Sequence, residues 1–144
     1  MQTVFKKLNL KEEESLLVLN APASFSPELE AIQALHAIHS KLDELEEITF
    51  ALLFIQQKEE VAPLMSKLQA KLKGDVSLWF AYPKKSSKKY KSNISRDAGW
   101  EALGENQFEA VRMVAIDEDW SAIRFRKVDF IKNMTRDPKR KLVK

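Results

Sequence analysis

Lys84, Lys85, Lys88, Lys89 and Lys91 fall within eight residues of the stretch AYPKKSSKKYKSN, and Ser86, Ser87, Asn93, Ser95 and Arg96 stand among them or just after. Ammonium groups beside hydroxyls are suited to a phosphate or another oxyanion. Asn93 or Ser95 is positioned to cap a short helix through Ile94, Ala98, Trp100 and Leu103 that Gly104 ends. The first turn of such a helix offers unpaired backbone N–H donors to the same anion. Tyr82 just before the run and Tyr90 within it could stack a base, although two aromatics fall short of a nucleic-acid platform. A lysine run is also how a solvated loop reads, and the residue types alone do not separate the two. If the loop binds, lysines acting as point charges predict strong salt dependence and little sequence specificity.

Other chemistries find less support. The chain has no cysteine, which removes disulfides, thiolate catalysis and cysteine-bound metals. His36 and His39, three apart, could share a helix face, but no third metal ligand lies at a recognisable spacing. Asp117, Glu118 and Asp119 read as turn formers between two strands rather than as a cation site. The only glycines are Gly74, Gly99 and Gly104, so no phosphate-cradling glycine loop exists. A dinucleotide or methyl donor is disfavoured on the same ground, because the loop where such a cofactor would lie reads Asn20-Ala21-Pro22-Ala23-Ser24-Phe25, and Glu28 opens the next helix with the wrong charge for a pyrophosphate. No cofactor and no metal are therefore expected. Acids such as Asp97, Asp117 and Asp119 could converge in space, yet no nucleophile and base pair is visible, so the reading leans away from an enzyme.

The elements that must hold these residues follow from apolar patterning. Ser15 to Asn20 reads as a short buried strand. Ser26-Pro27-Glu28 starts a helix whose Leu29, Ile32, Leu35, Ile38 and Leu42 share a face. Ile48 to Ile55 is apolar almost throughout, the pattern of a strand covered on both sides. Glu59 and Glu60 open a second helix that carries Val61, Leu64, Met65, Leu68 and Leu72 and stops at Lys73 and Gly74. Val76 to Tyr82 is a third strand, halted by Pro83. Ala110 to Ile116 and Trp120 to Val128 alternate around the acidic turn and predict an antiparallel hairpin. Trp79 and Trp100 read as core and anchor, whereas Trp120 either packs or lines a pocket.

Strand and helix alternate, so the expected fold is α/β: a three-layer α/β/α sandwich with a mostly parallel, Rossmann-like sheet of about five strands closed by an antiparallel hairpin. Residues 1–134 form one domain and residues 135–144 a basic tail. Ligands of such sheets bind beyond the carboxyl ends of the strands, which brings Asn20 to Ser26, Gln56 to Lys58 and Pro83 to Lys91 to one edge. Asn20, Tyr82, Lys84, Lys85, Ser86, Ser87, Lys88, Lys89, Asn93, Ser95, Arg96 and Trp120 are thus the candidate ligand-binding residues.

Composition bounds the partners. At 144 residues and 44% hydrophobic, the chain can bury a self-sufficient core. Residues 1–72 carry 7 basic and 11 acidic side chains, and residues 73–144 carry 17 and 10, so the +3 net charge conceals a basic second half. That asymmetry suits a phosphate-bearing small molecule, a nucleic acid contacted by the loop together with Arg136, Lys139, Arg140 and Lys141, or a charge-steered homodimer. No apolar run reaches membrane-spanning length and no leader segment is evident, which predicts a cytoplasmic protein without membrane contact.

The segments LWFAYPKKSSK (78–88), NISRDAGW (93–100) and VAIDEDWSAIRFR (114–126), with LLVLNAP at the first strand, resemble a widespread family of small bacterial proteins of unknown function. The resemblance covers nearly the whole chain and implies that the lysine loop, the 93–100 segment and the closing hairpin belong to the family pattern. It implies no catalytic residues. Such proteins also look remotely like a trimmed Rossmann-type domain, an analogy that carries fold and not chemistry. The reading as a whole is a non-enzymatic module that binds a phosphate-bearing or other anionic ligand between Lys84 and Arg96.

Overall fold

The fold is built around β3, Ile48–Phe54, every residue of which except Thr49 is buried. Strand side chains alternate between faces. Phe50, Leu52 and Phe54 therefore enter one apolar cluster while Ala51 and Leu53 enter the other. Its parallel neighbours β1, Ser15–Leu19, and β4, Leu72–Pro83, divide in the same way, with Leu17, Leu19, Leu78, Phe80 and Tyr82 on one face and Leu16, Val18, Trp79 and Ala81 on the other. Two apolar faces require two covering layers. Helix α1, Val4–Lys7, and α2, Ser26–Ile32, supply one through Phe5, Leu8, Phe25 and Ile32. Helix α3, Val61–Leu68, and α4, Glu101–Glu105, supply the other through Val61, Met65, Leu68, Trp100 and Leu103.

The chain is seen here as a computed structural model, which describes residues 4–11, 15–96 and 98–131. Asp97 and the expected tail at 135–144, with Arg136, Lys139, Arg140 and Lys141, lie outside the described residues.

Six strands make one sheet in the order β2-β1-β3-β4-β6-β5, where β2 is Ala37–His39, β5 is Phe108–Ala115 and β6 is Trp120–Lys127. The first four are parallel; β6 runs antiparallel to both β4 and β5. The expected Rossmann-like sandwich with an antiparallel hairpin is what the chain forms. The hairpin inserts β6 against β4 and leaves β5 at the sheet edge.

Local expectations fail at three places, each where tertiary pairing overrides local pattern. The helix drawn through Leu42 stops at Ile32, and Ala37–His39 pairs in parallel with Ser15 to Leu17. Leu35, placed on its apolar face, is 82% exposed. His36 and His39 consequently do not share a helix face, and His39 lies 3.5 Å from Glu44. The second helix ends at Leu68, passes through a 3-10 turn at Gln69–Lys71, and Leu72 already belongs to β4. Gly74, expected as its cap, takes φ +58 inside that strand, where the pairing with β3 shifts register between Ile48 and Phe50. The described residues of 94–100 form no helix; Ser95 and Ala98 make a small bridge, and α4 begins only at Glu101. Gly99 has φ +104, and a Cβ there would come within 2.8 Å of Ile94 Cγ1 and 3.0 Å of Lys58 Cβ. That close approach sets Gly99 against Ile94 and the start of α3.

Leu53 is wholly buried on the face that α3 covers. Replacing it with Ala should cost roughly 2–5 kcal/mol, read as a lower urea midpoint at unchanged slope.

Candidate functional site

The connection from β1 to β2 runs through α2 on one face of the sheet, while that from β3 to β4 runs through α3 on the other. The crossovers therefore part between β1 and β3. Loops leaving the carboxyl ends of those two strands diverge and open a crevice, the usual ligand position in an open α/β sheet.

A cleft of about 480 Å³ lies there, lined by Asn20, Pro22, Ala23, Phe54, Gln56, Glu60, Tyr90 and Trp120. Its size is in the range of small-molecule sites. Asn20 turns the chain out of β1 with φ +59, a left-handed conformation that asparagine tolerates better than most residues. Phe54 is the last residue of β3, and Trp120 the first of β6. Rings run in sequence from the core to the cleft: Phe25 meets Phe54 at 5.0 Å, Phe54 meets Trp120 at 5.1 Å, and Trp120 meets Tyr90 at 4.9 Å between centroids. Trp120 is 2% exposed and its indole N–H, also buried, has no hydrogen-bond partner among the described residues. Tyr90 is half-buried.

Glu60 is fixed by the backbone beneath it. Its Oε2 accepts the N–H groups of Gln56 at 2.8 Å and Gln57 at 2.6 Å, closing the turn that starts α3. Among the described residues of the lining it is the only one with a formal charge.

The lysine loop carries Tyr90 to this cleft as a strap tied at both ends. At one end Ser87 Oγ donates to Asp119 Oδ1 at 2.8 Å and accepts from the Tyr90 N–H at 3.2 Å, while the Lys84 N–H donates to the Asp119 carbonyl at 2.8 Å. Asp117 holds the turn beneath by accepting from the Asp119 and Trp120 N–H groups, so these acids are turn formers as their spacing suggests. At the other end Asn93 Oδ1 accepts the Lys58 N–H at 2.7 Å and its amide donates to both oxygens of Glu59. Gln57 Nε2 donates to the Lys91 carbonyl at 2.9 Å, and Ser92 Oγ donates to the Gln56 carbonyl.

The candidate residues do not converge on one pocket. Tyr82, Lys84, Lys85, Ser95 and Arg96 line a second, shallower cleft of about 290 Å³ together with Ser121. Asn20 and Trp120 line the first. Ser86, Lys88 and Lys89 are exposed and are among the described lining of neither, Ser87 is spent on Asp119, and Asn93 on the start of α3. The expected oxyanion cradle fails for want of a helix. Neither Asn93 nor Ser95 caps α4, whose N-cap is Trp100 with no side-chain cap, and the Ser95 carbonyl instead accepts the Trp100 indole N–H at 2.8 Å. Tyr82 is buried, and its hydroxyl donates to Met113 Sδ at 3.4 Å.

Phe54, Gln56 and Glu60 were not among the sequence candidates. Gln56 was legible as part of the strand-end edge, and Tyr90 as a ring beside it. Glu60 read only as a helix-opening acid, because its contribution to a cleft depends on the strap that crosses from the other side of the sheet.

No protein-family model and no curated protein matches the chain. Solved structures do. A SAM dependent methyltransferase from Aquifex aeolicus superposes with a TM-score of 0.56 at 16% identity over 85% of this chain and 87% of its own. The Methanococcus jannaschii fibrillarin pre-rRNA processing protein gives 0.52 at 12% over 81% and 67%. The pyocyanin biosynthetic protein PhzM gives 0.53 at 10% over 82% of this chain but 52% of its own. At these identities the likeness is one of fold.

These neighbours overturn the reading of a non-enzymatic anion-binding module at Lys84 to Arg96. The fold is shared with a SAM dependent methyltransferase, whose named donor is a sulfonium nucleoside and not a phosphate, and the residues meant to cradle an anion are divided between two clefts and a latch. The phosphate-bearing ligand falls with it, and these neighbours give no support to the nucleic-acid partner inferred from the basic surface or to the homodimer inferred from the charge asymmetry of the two halves. Among the described residues no helix is long and apolar enough to cross a membrane.

The Asn93 amide and, after it, a backbone hydrogen bond of its own residue hold the Glu59 carboxyl below the ordinary carboxylate range. Its contribution to stability is therefore present above the unfolded pKa and lost as pH falls through the lower folded value. Asn93→Ala should move the Glu59 titration, followed by side-chain carboxyl NMR, up towards the ordinary value and free the strap at that end. An unmoved titration would show that the latch is not formed.

Proposed function

We propose a methyltransferase-like role in which the chain binds S-adenosylmethionine or a closely related adenosyl compound in the cleft between the ends of β1 and β3. One observation carries this reading: the larger cleft lies where the crossovers diverge, in a fold shared with the SAM dependent methyltransferase from Aquifex aeolicus.

The lining suits such a molecule better than it suits a dinucleotide. Pro22 has no N–H, and no glycine lets the first loop approach a pyrophosphate closely. An adenosyl methyl donor carries no phosphate, so the charge of Glu28 does not oppose it, and with a glycine-free first loop its contacts fall to side chains. It presents a flat ring, ribose hydroxyls, an amino-acid end and a cationic sulfur. Tyr90, beside Trp120, offers a surface for the ring; the Asn20 and Gln56 amides and the Glu60 carboxylate offer donors and acceptors for the polar parts. The missing glycines, held against a methyl donor as well as a dinucleotide in the sequence reading, are offset here by the position of the cleft and by the side chains that line it.

Such a donor, when bound, supplies an electrophilic methyl group. The part left to this chain is to bind it, orient it and keep water from the Phe54 and Trp120 side of the cleft.

Isothermal titration with S-adenosylmethionine and S-adenosylhomocysteine tests the reading. At least one should bind with micromolar to millimolar affinity. Tyr90→Ala should weaken binding about tenfold, within the roughly 1–3 kcal/mol that stacking of one base contributes. Absence of heat and of thermal stabilisation with either compound at several millimolar would overturn it.

A further inference from the structure

The cleft pairs aromatic rings with a single acid. Tyr90 and Trp120 stand 4.9 Å apart at 59°, Phe54 meets Trp120 at 5.1 Å and 77°, and Glu60 contributes a carboxylate to the same wall. Among the described lining residues there is no lysine, arginine or histidine. This is notable in a chain of net charge +3 whose neighbouring loop holds five lysines. The strap brings its tyrosine to the cleft, while Lys88, Lys89 and Lys91 are exposed and Lys85 borders the other cleft.

Glu60 is oriented by its neighbours yet not neutralised by them. Oε2 is taken by two backbone N–H groups, and among the described residues no salt bridge involves Glu60 and its Oε1 makes no hydrogen bond. A carboxylate held on its backbone side leaves its charge directed to whatever occupies the cleft. Aromatic ring faces attract cations through the ring quadrupole, most strongly when the cation sheds its water at little cost. Sulfonium and quaternary ammonium groups meet that condition, because their charge is covered by carbon and they donate no N–H hydrogen bonds.

From this geometry we infer that the cleft is an onium-cation site, in which Tyr90 and Glu60 select a sulfonium or quaternary ammonium group over a neutral group of the same shape. The inference rests on the cleft proposed above as the ligand site and specifies its charge preference. It does not require that the natural ligand be a nucleoside.

Choline and 3,3-dimethyl-1-butanol provide the test, since they have the same shape and differ in bearing a quaternary nitrogen or a neutral carbon. Binding to the full chain is followed by the chemical shifts of the Tyr90 and Trp120 ring protons. Choline should bind in the millimolar range and the alcohol at least about threefold more weakly. Glu60→Gln keeps an amide oxygen for the Gln56 and Gln57 N–H groups and so keeps the turn; it should lower choline affinity by about 3- to 30-fold and leave the alcohol unchanged. Tyr90→Ala should do likewise, and Tyr90→Phe should retain binding because the ring remains.

Equal binding of the two compounds, no binding of choline, or an unchanged choline affinity in Glu60→Gln would each overturn the inference. Failure of the adenosyl reading looks different: choline still discriminates against the alcohol while neither adenosyl compound binds. Failure of the onium site alone shows the reverse, with an adenosyl compound bound and no preference between choline and the alcohol.

Discussion

Burial of β3 on both faces is the constraint from which the rest of the architecture follows. A strand with Phe50, Leu52 and Phe54 on one side and Ala51 and Leu53 on the other cannot rest against water on either. It needs parallel neighbours on both edges and helices above and below. Supplying those helices from successive crossovers on opposite faces makes the loops after β1 and β3 part company. The crevice is thus a by-product of covering one apolar strand twice, and Phe54 links the two: the residue that closes the core on one face is also the floor of the cleft.

Aromatic packing carries that link outward. The contacts from Phe5 through Phe25, Phe54 and Trp120 to Tyr90 form a continuous path from the N-terminal helix to the surface strap. Edge and tilted contacts of this kind contribute of the order of 0.5–1.5 kcal/mol each beyond burial. They also fix the ring positions. Tyr90 is therefore placed by two separate means, a ring contact from below and the Ser87 and Asn93 latches on either side.

Much of this fold is legible in the linear sequence because two-sided burial leaves a plain mark. The nearly unbroken apolar run at 48–55, the Val76 to Tyr82 strand and the alternation around Asp117 to Asp119 are each direct consequences of where side chains must point. The 29, 32, 35, 38, 42 spacing misleads for the complementary reason. It fits a helix, but β1 presents an open edge, and pairing Ala37–His39 with it satisfies backbone groups that a longer helix would leave unpaired. Local pattern cannot register a partner more than twenty residues away. The same limit explains Asn93 and Ser95. Both are good cap residues, but Asn93 is engaged by Lys58 and Glu59, thirty-four or more residues distant, and Ser95 pairs across a small turn instead.

The site was half legible for a physical reason of its own. Asn20, Gln56 and the 83–91 loop could be placed on one edge from where the predicted parallel strands end, and Tyr90 could be seen as a ring there. What could not be read is which way the loop faces. A run of lysines draws attention to charge, yet charge seeks water and sends the ammonium groups outward, whereas the tyrosine among them is drawn to Trp120. Solvation of the lysines and burial of the ring act together to turn one face of the strap to solvent and the other to the cleft. The basic residues help to make the site by leaving it, and the charge that remains inside is the opposite one, on Glu60.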